Sequence, residues 1–516
     1  METSNYPEMP PISFSINGIK KLLQSLNVNK ANGPDKILIR VLKDYATEIA
    51  PILQHIFMQS LSTGCLPHDW KTANITPIFK KGDQNLPSNY RPISLTAVPC
   101  KLLEHIIHKN IMEHLELHNA IVHFQHGFRT GHSCESQLII TIEEIMRSLD
   151  QKNQIDIAIL DFSKAFDSVP HKRLLKKLDY YGIRGQNLGW IAAWLEERTQ
   201  RVVLNGEQSR EVPVISGVPQ GTVLGPLMFL LYVNDIGKDV NSSIKLFADD
   251  CLLYRNVNSE DDASLLQQDL DKLVKWSKTW QMSFNINKCH ILRVHRSQIP
   301  LINNYTMEHK PVSDVNHCPY LGVEMQSNMK FDRHIVNMCN KATRTFNMLR
   351  RNLHHCSPQI KEISYKALIR PILEYSAAVW DPHRLKEKQQ IERIQRRAAR
   401  WVKCDYSRDT SVSGLLEQLQ WPTLEKRRKI SRLTIFYKML SSKNEIAIPI
   451  PQYVEVPGYA TRRASQSNFT TIRPNTDSYK FSFLPRTIRE WADVPPDTKT
   501  ADSVDGFKLK LFKLYA

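Results

Sequence analysis

The stretch KLFADDCLLY (245–254) constrains the fold more than any other. Leu246, Phe247, Ala248, Cys251, Leu252, Leu253 and Tyr254 suit a buried hairpin, and Lys245 alone departs from that character. Two adjacent carboxylates, Asp249 and Asp250, sit in its middle. Charge beside charge in an apolar setting is costly unless a cation balances it. Such a chain is expected to bring a cation to this turn.

A second acid stands in a comparable place. QIDIAILDF (154–162) is a short, nearly continuous apolar run rich in Ile, which predicts a strand buried on both faces. Asp161 follows it, with Asp167 six residues on. Asp161 and the Asp249–Asp250 pair are expected to meet at the ends of neighbouring strands in one sheet. Carboxylates with little chance of ion pairing suit hard cations such as Mg²⁺. Two such ions, about 3.5–4 Å apart, activate a hydroxyl nucleophile and neutralise a leaving pyrophosphate. A lone acid at a strand end would read as a turn or cap residue, and the sequence between the acids argues against that.

There runs GVPQGTVLGPLMFLLYVNDI (217–236), a Gly- and Pro-rich loop leading into an apolar helix expected over about 222–235. Gly217, Gly221 and Gly225 are expected to let the backbone approach a ligand closely. A loop-to-helix junction turns N–H groups outward, which favours a phosphate or a base edge. Gln220 adds an amide able to hydrogen-bond.

Charge points the same way. The chain carries a formal +17 over 516 residues, which suggests a polyanionic partner. Between 341 and 440 there are roughly 22 Lys and Arg against 9 acids. In IERIQRRAARWV (391–402), Ile391, Ile394, Ala398 and Trp401 share one helix face, and Arg393, Arg396, Arg397 and Arg400 fall largely elsewhere. EKRRKISR (425–432) repeats five basic residues. One such helix would read as a solvated face; two are expected to make a phosphate-tracking surface.

The length exceeds one ordinary core, so two or more domains are expected. No apolar run approaches about 18 residues, so no membrane span is expected. The N-terminus lacks the apolar core of a secretory signal. Nine scattered cysteines without a Cys-x-x-Cys pair predict neither disulfides nor a zinc ribbon. The expected setting is intracellular, in nucleus, cytoplasm or both. The expected organisation is a helical extension (1–70), a mixed α+β region (71–326), a helical basic region (327–445) and a tail rich in Pro, Thr and Ser (446–516).

LDFSKAFD (160–167), SGVPQGTVLGPLMFLLYVNDI (216–236) and FADD (247–250), in that order and spacing, resemble motifs A, B and C of reverse transcriptases. ITPIFKKGDQNLPSNYRPISLT (75–96) and FQHGFRTGHSCESQL (124–138) resemble two fingers motifs of the non-LTR retrotransposon class. FNINKCHIL (284–292) resembles its motif D, and YLGVEM (320–325) its motif E, the primer grip. The tail stretch FSFLPRTIREWADVPPD (481–497) is similar to the ends of jockey-group elements.

The resemblance implies an α+β right-hand polymerase, with fingers, a palm of antiparallel sheet plus helices, and a helical thumb after 327. It implies that Asp161 and Asp249 bind two Mg²⁺ ions, with Mn²⁺ able to substitute, and that Asp250 supports them. The backbone from Phe162 to Ala165 would line the triphosphate. Phe166 would be the steric gate, its apolar ring leaving a ribose 2′-hydroxyl without a hydrogen bond. Arg91, with Lys80 or Lys81, would grip the triphosphate, and Gln220 and Gly221 would lie by the incoming nucleotide. Lys288 would be the acid for the pyrophosphate leaving group. Tyr320, Leu321 and Gly322 would place the primer end. The implied partners are an RNA template, a DNA primer or RNA–DNA hybrid, and dNTPs.

Elements of this kind usually carry an upstream endonuclease. Only residues 1–74 precede the first motif, so a truncated or polymerase-only product is expected, and an endonuclease in trans is left open as a partner. A second reading is a non-catalytic, nucleic-acid-binding remnant. An RNA-dependent RNA polymerase shares the palm acids, but Phe166 and the full motif set argue against it.

Overall fold

The computed structural model describes residues 6–441, 446–454, 469 and 472–515. Residues 1–5, 442–445 and parts of the expected tail (455–468, 470–471 and 516) lie outside them. By compactness the chain forms two units: Met1–Phe128 with Asp161–Asn241 and Asp269–Asn285, and Arg129–Leu160 with Ser242–Gln268 and Ile286–Ala516. The second runs from 286 to the end with no division near 327.

In the second unit, the apolar run becomes the strand Ile155–Leu160, the centre of a five-stranded sheet. The order is Ser313–Val315, His290–Val294, Ile155–Leu160, Asp250–Asn256, Ser243–Phe247. Ile155 and Ile157 pair with Asn256 and Tyr254 on one side and with Val294 and Leu292 on the other. Burial on both faces explains why the strand's sequence is nearly all apolar rather than alternating; its one acid, Asp156, is buried and accepts from Tyr305 Oη at 2.8 Å and Gln154 Nε2 at 3.0 Å. The sheet is antiparallel except at one edge, where Ser313–Val315 runs parallel to His290–Val294. The intervening segment 295–312 is long enough to return the chain for a parallel pairing.

The helix Cys134–Asp150 lays Leu138, Ile142, Ile145, Met146 and Leu149 into the core of this unit, with Ile157, Leu252 and Leu292 of the sheet. The same core takes in the helices Asp332–Asn352, Leu385–Lys403 and Leu424–Leu440. It also takes in the expected tail, whose residues form the helices Phe483–Ala492 and Val504–Tyr515. Leu484, Ile488 and Trp491, then Phe507 and Leu511, stand at helical spacing and are buried.

Charge is buried here too. Asp381 accepts from Arg428 Nε at 2.5 Å and from Arg432, and it pairs with Arg486 at 3.1 Å. Arg432 also pairs with Glu490 at 2.7 Å. This corrects the expectation for 425–432: Arg428 and Arg432 are core residues, and Arg427 pairs with Glu374. In 391–402 the two faces are as expected, with Ile391, Ile394, Ala398 and Trp401 buried and Arg393, Arg396 and Arg397 exposed, but Arg400 is half-buried and donates to the backbone carbonyls of Asp405, Ser407 and Thr410.

The first unit has its own sheet. Thr72–Phe79 pairs antiparallel with Tyr90–Leu95 and parallel with Thr199–Leu204. Thr199–Leu204 turns at Asn205 (φ 52°) and Gly206 (φ 91°) into Glu207–Gln208, with Leu204 opposite Glu207. This is the two-residue hairpin that Asn-Gly predicts. Ile16–Gln24 and Gly185–Leu195 both pack against Ala46–Thr63, and Trp190 Nε1 donates to Ser60 Oγ at 3.0 Å.

Candidate active site

In the first unit, the residues after Leu160 are fastened to 283–285. Asp161 O accepts from Asn285 N at 2.7 Å, and Ser163 N donates to Ser283 O at 2.8 Å. Phe162 stacks on Phe284 with ring centroids 4.5 Å apart. The chain then turns at Lys164 (φ 49°) into the short 3₁₀ turn Ala165–Asp167, with Ala165 buried. The Phe166 ring lies flat on Phe229, centroids 4.4 Å apart, with Phe128 edge-on at 6.2 Å. Stacking on the helix Leu224–Val233 gives the expected gate a fixed orientation.

The 217–225 loop has a different logic from the one expected. A Cβ on Gly217 would come 2.7 Å from the Asp167 backbone, on Gly221 (φ +107°) 2.7 Å from Ser94 O, and on Gly225 2.5 Å from Pro219 O. The close approach is of the chain to itself. Ser94 N donates to Gln220 O at 2.7 Å, and Gln220 Nε2 donates to Asp167 Oδ1 at 3.1 Å. The loop thus brings the Tyr90–Leu95 strand and the Ala165–Asp167 turn together. The N–H groups at the helix start are also taken: Glu104 Oε2 accepts from Val223 N at 2.7 Å and Leu224 N at 3.1 Å. That helix start is held by a protein carboxylate, not left open for a phosphate.

Arg91 lies on the Tyr90–Leu95 strand opposite Ile78, and it is exposed, as are Lys80 and Lys81. Lys80 N donates to Asn89 O at 2.9 Å, which continues the ladder two residues past Ile78. Strand alternation then sets Lys80, rather than Lys81, on the face of Arg91.

In the second unit, Ser243–Phe247 and Asp250–Asn256 form the expected hairpin, with Phe247 opposite Asp250 and Ala248 (φ 54°) and Asp249 in the turn. Leu246, Cys251, Leu252 and Leu253 are buried, but Asp249 is half-buried and Asp250 exposed. The charges are therefore not buried as the composition of the stretch suggests. The turn lifts them to the sheet end while the apolar flanks anchor it. Leu160 pairs with Cys251, so Asp161 directly follows, and Asp250 directly precedes, two residues joined in one ladder.

The strands His317–Tyr320 and Val323–Gln326 pair around a turn of Leu321 (φ 45°) and Gly322 (φ 81°). Gln137 Nε2 donates to the buried Tyr320 hydroxyl at 3.2 Å. Burial pushes that phenol well above its ordinary pKa; the Gln137 bond opposes this, and the Asp250 charge adds to it. Tyr375 donates through its hydroxyl to Leu321 O at 2.9 Å, and a Cβ on Gly322 would meet its ring at 3.0 Å. Lys288 is exposed at the end of the 3₁₀ turn Ile286–Lys288. Among the described residues, no three His, Cys, Asp or Glu side chains are gathered as a metal cluster. The carboxylates at the sheet end offer oxygen donors only, the set that suits Mg²⁺.

Residues 78–325 match the family described as "Reverse transcriptase (RNA-dependent DNA polymerase)". The chain carries a reverse transcriptase domain. With its α+β architecture, this puts the fold in the right-hand polymerase class. The chain is 29% identical over 410 residues to the probable RNA-directed DNA polymerase from transposon X-element of Drosophila melanogaster, covering 77% of this chain and 44% of that one. It is 28% identical over 450 residues to the RNA-directed DNA polymerase from mobile element jockey of the same organism, covering 81% and 48%. It is 26% identical over 465 residues to the corresponding protein of transposon BS, covering 84% and 50%. The chain spans about half the length of the curated relatives it matches. Among solved structures, an apo telomerase from Candida Tropicalis is similar at a TM-score of 0.37 and 10% identity, covering 58% of this chain and 62% of that one.

Two residues that hold the motifs of this reverse transcriptase domain in place escape a motif reading. Glu104 is buried and also accepts from Trp194 Nε1 at 3.3 Å. Its signal is an acid on the apolar helix face of Cys100, Leu103, Ile107 and Ile111. Tyr375 carries no local signal for this role, because the carbonyl its hydroxyl donates to lies 54 residues away. No helix of the described residues is long and apolar enough to cross a membrane.

Proposed function

We propose that this chain is an RNA-directed DNA polymerase of a non-LTR retrotransposon, which adds dNTPs to a primer 3′-hydroxyl on an RNA template. The observation that supports this reading is the pairing of Leu160 with Cys251, whose neighbours in the sequence are Asp161 and Asp250 respectively. Asp161 and Asp249 would hold two Mg²⁺ ions, or Mn²⁺, with Asp250 in support. Bound there, the metals would acidify the primer hydroxyl and balance the charge of the departing pyrophosphate.

The chain's own groups do the rest. Arg91 and Lys80 bind triphosphate oxygens from one strand face. Phe162 and Ala165 bring the turn's backbone to the triphosphate. Phe166, fixed on Phe229, excludes a 2′-hydroxyl. Gln220 and Gly221 bound the nucleotide's other side, and Lys288 protonates the leaving group. Tyr320, Leu321 and Gly322 steady the primer end. An endonuclease acting in trans, inside the cell, completes the reading.

The test is primer extension. The purified chain, given a primed RNA template, dNTPs and Mg²⁺ or Mn²⁺, should extend the primer, and Asp249→Ala should reduce extension by at least about a thousandfold. Folded protein that binds the template but never extends it would instead support the remnant reading. Full activity in Asp249→Ala would overturn the metal assignment.

A further inference from the structure

The second unit holds a cleft of about 1050 Å³ among the helices Asp332–Asn352, Pro358–Ser364 and Leu385–Lys403. That is the upper end of the roughly 300–1,000 Å³ typical of ligand sites. No Asp or Glu lines it. Arg344, Arg350 and Arg351 do, and among the described residues none of the three makes an ion pair. Exposed arginines alone would be a solvated face.

Lys361 makes the difference. It lines the cleft at 4% exposure, and its ammonium donates to Cys404 Sγ at 3.2 Å and lies 6.0 Å from the centre of the Trp401 ring. It is part of no ion pair among the described residues. A buried ammonium with a thiol and a ring for company is poorly balanced, and an anion entering the cleft would balance it. At the rim, Tyr406 presents its ring at 60% exposure.

We infer that this cleft binds single-stranded nucleic acid: Lys361 and the arginines take consecutive phosphates, and an unpaired base stacks on Tyr406. A duplex fits the features less well. Its phosphates ride on the outside of a stiff helix and do not reach a recessed ammonium, and its bases offer no free face to Tyr406. A single strand can thread inward and splay a base onto an aromatic ring. The inference does not depend on polymerase activity.

The test is fluorescence anisotropy on the full chain, with a labelled single-stranded 12-nucleotide RNA, its DNA counterpart and a blunt RNA duplex. Tyr406→Ala should weaken single-strand binding about tenfold, while Tyr406→Phe retains it. Lys361→Met, which keeps the stem's bulk, should weaken it at least about tenfold. Arg351→Ala should lower the slope of log affinity against log salt by about 0.7. Duplex affinity should stay at its parental value in all of them. If Lys361→Met does not fold, the two surface variants decide alone. Parental single-strand affinity in Tyr406→Ala and Arg351→Ala, or an equal loss for the duplex, would overturn the inference. A chain that binds as expected but extends no primer leaves this site standing and sinks only the polymerase reading.

Discussion

Two side chains carry the consequences at the residue scale. Phe166 stacks on Phe229, which favours this one orientation of its ring. Phe166→Ala should raise ribonucleotide use by at least about tenfold relative to dNTP use, read as the incorporation ratio on one template. An unchanged ratio would remove it as the gate. His334 lies against Trp380, ring centroids 5.3 Å apart, and its Nδ1 accepts from Glu324 N at 3.3 Å. Burial lowers its pKa from 6.5 to about 4. Between those values the unfolded chain binds a proton that the folded chain does not, so stability rises with pH across that window. It is fully present above about 6.5 and falls as pH drops toward 4, by about 2 kcal/mol at pH 5. His334→Gln keeps an acceptor and should shrink the difference in urea midpoint between pH 7 and pH 5. An equal difference in the variant would exclude His334 as its source.

At the scale of elements, Glu104 joins its own helix to the start of Leu224–Val233. Glu104→Ala leaves two helix N–H groups and the Trp194 indole without their acceptor, and should cost about 2–4 kcal/mol in urea unfolding. Glu104→Gln retains an acceptor and should cost less than half as much; equal losses would mean that bulk, not hydrogen bonding, matters there. These elements divide by how far their causes lie along the chain. The strand Ile155–Leu160 was readable because burial on both faces leaves a run that is apolar but for Asp156. The Asn205–Gly206 turn was readable because both positions need positive φ. The place of Asp161, Asp249 and Asp250 beside strand ends was readable, since acids at strand ends are local features. Their exposure was not, because turn geometry decides it. Arg428 and Arg432 look like surface residues until Asp381, 47 and 51 residues away, is brought to them. The loop glycines likewise read as ligand clearance, because Ser94 and Asp167 are far off in sequence.

At the scale of the whole molecule, the C-terminal segment belongs to the second unit's core. Asn475 N and Thr476 Oγ1 donate to the Asp150 carboxylate at 2.9 and 2.6 Å, and Tyr479 donates to Glu143 at 2.9 Å. Arg486 and Glu490 close the ionic cluster around Asp381. A chain ending at residue 474 also loses Trp491, Phe507 and Leu511 from the apolar core. It should be insoluble, or should unfold at clearly lower urea than the full chain with a reduced transition slope. A parental midpoint would show the segment to be dispensable. The bonds to Asp150 have a further consequence, in time. The helix that ends at Asp150 leaves the ribosome more than 300 residues before its last partners do. At roughly 5–20 residues per second, that is an interval of about 15–65 s in which it must wait without them. A message broken near its end would yield a product with every polymerase motif translated, silenced by failed folding rather than by any lesion in its chemistry.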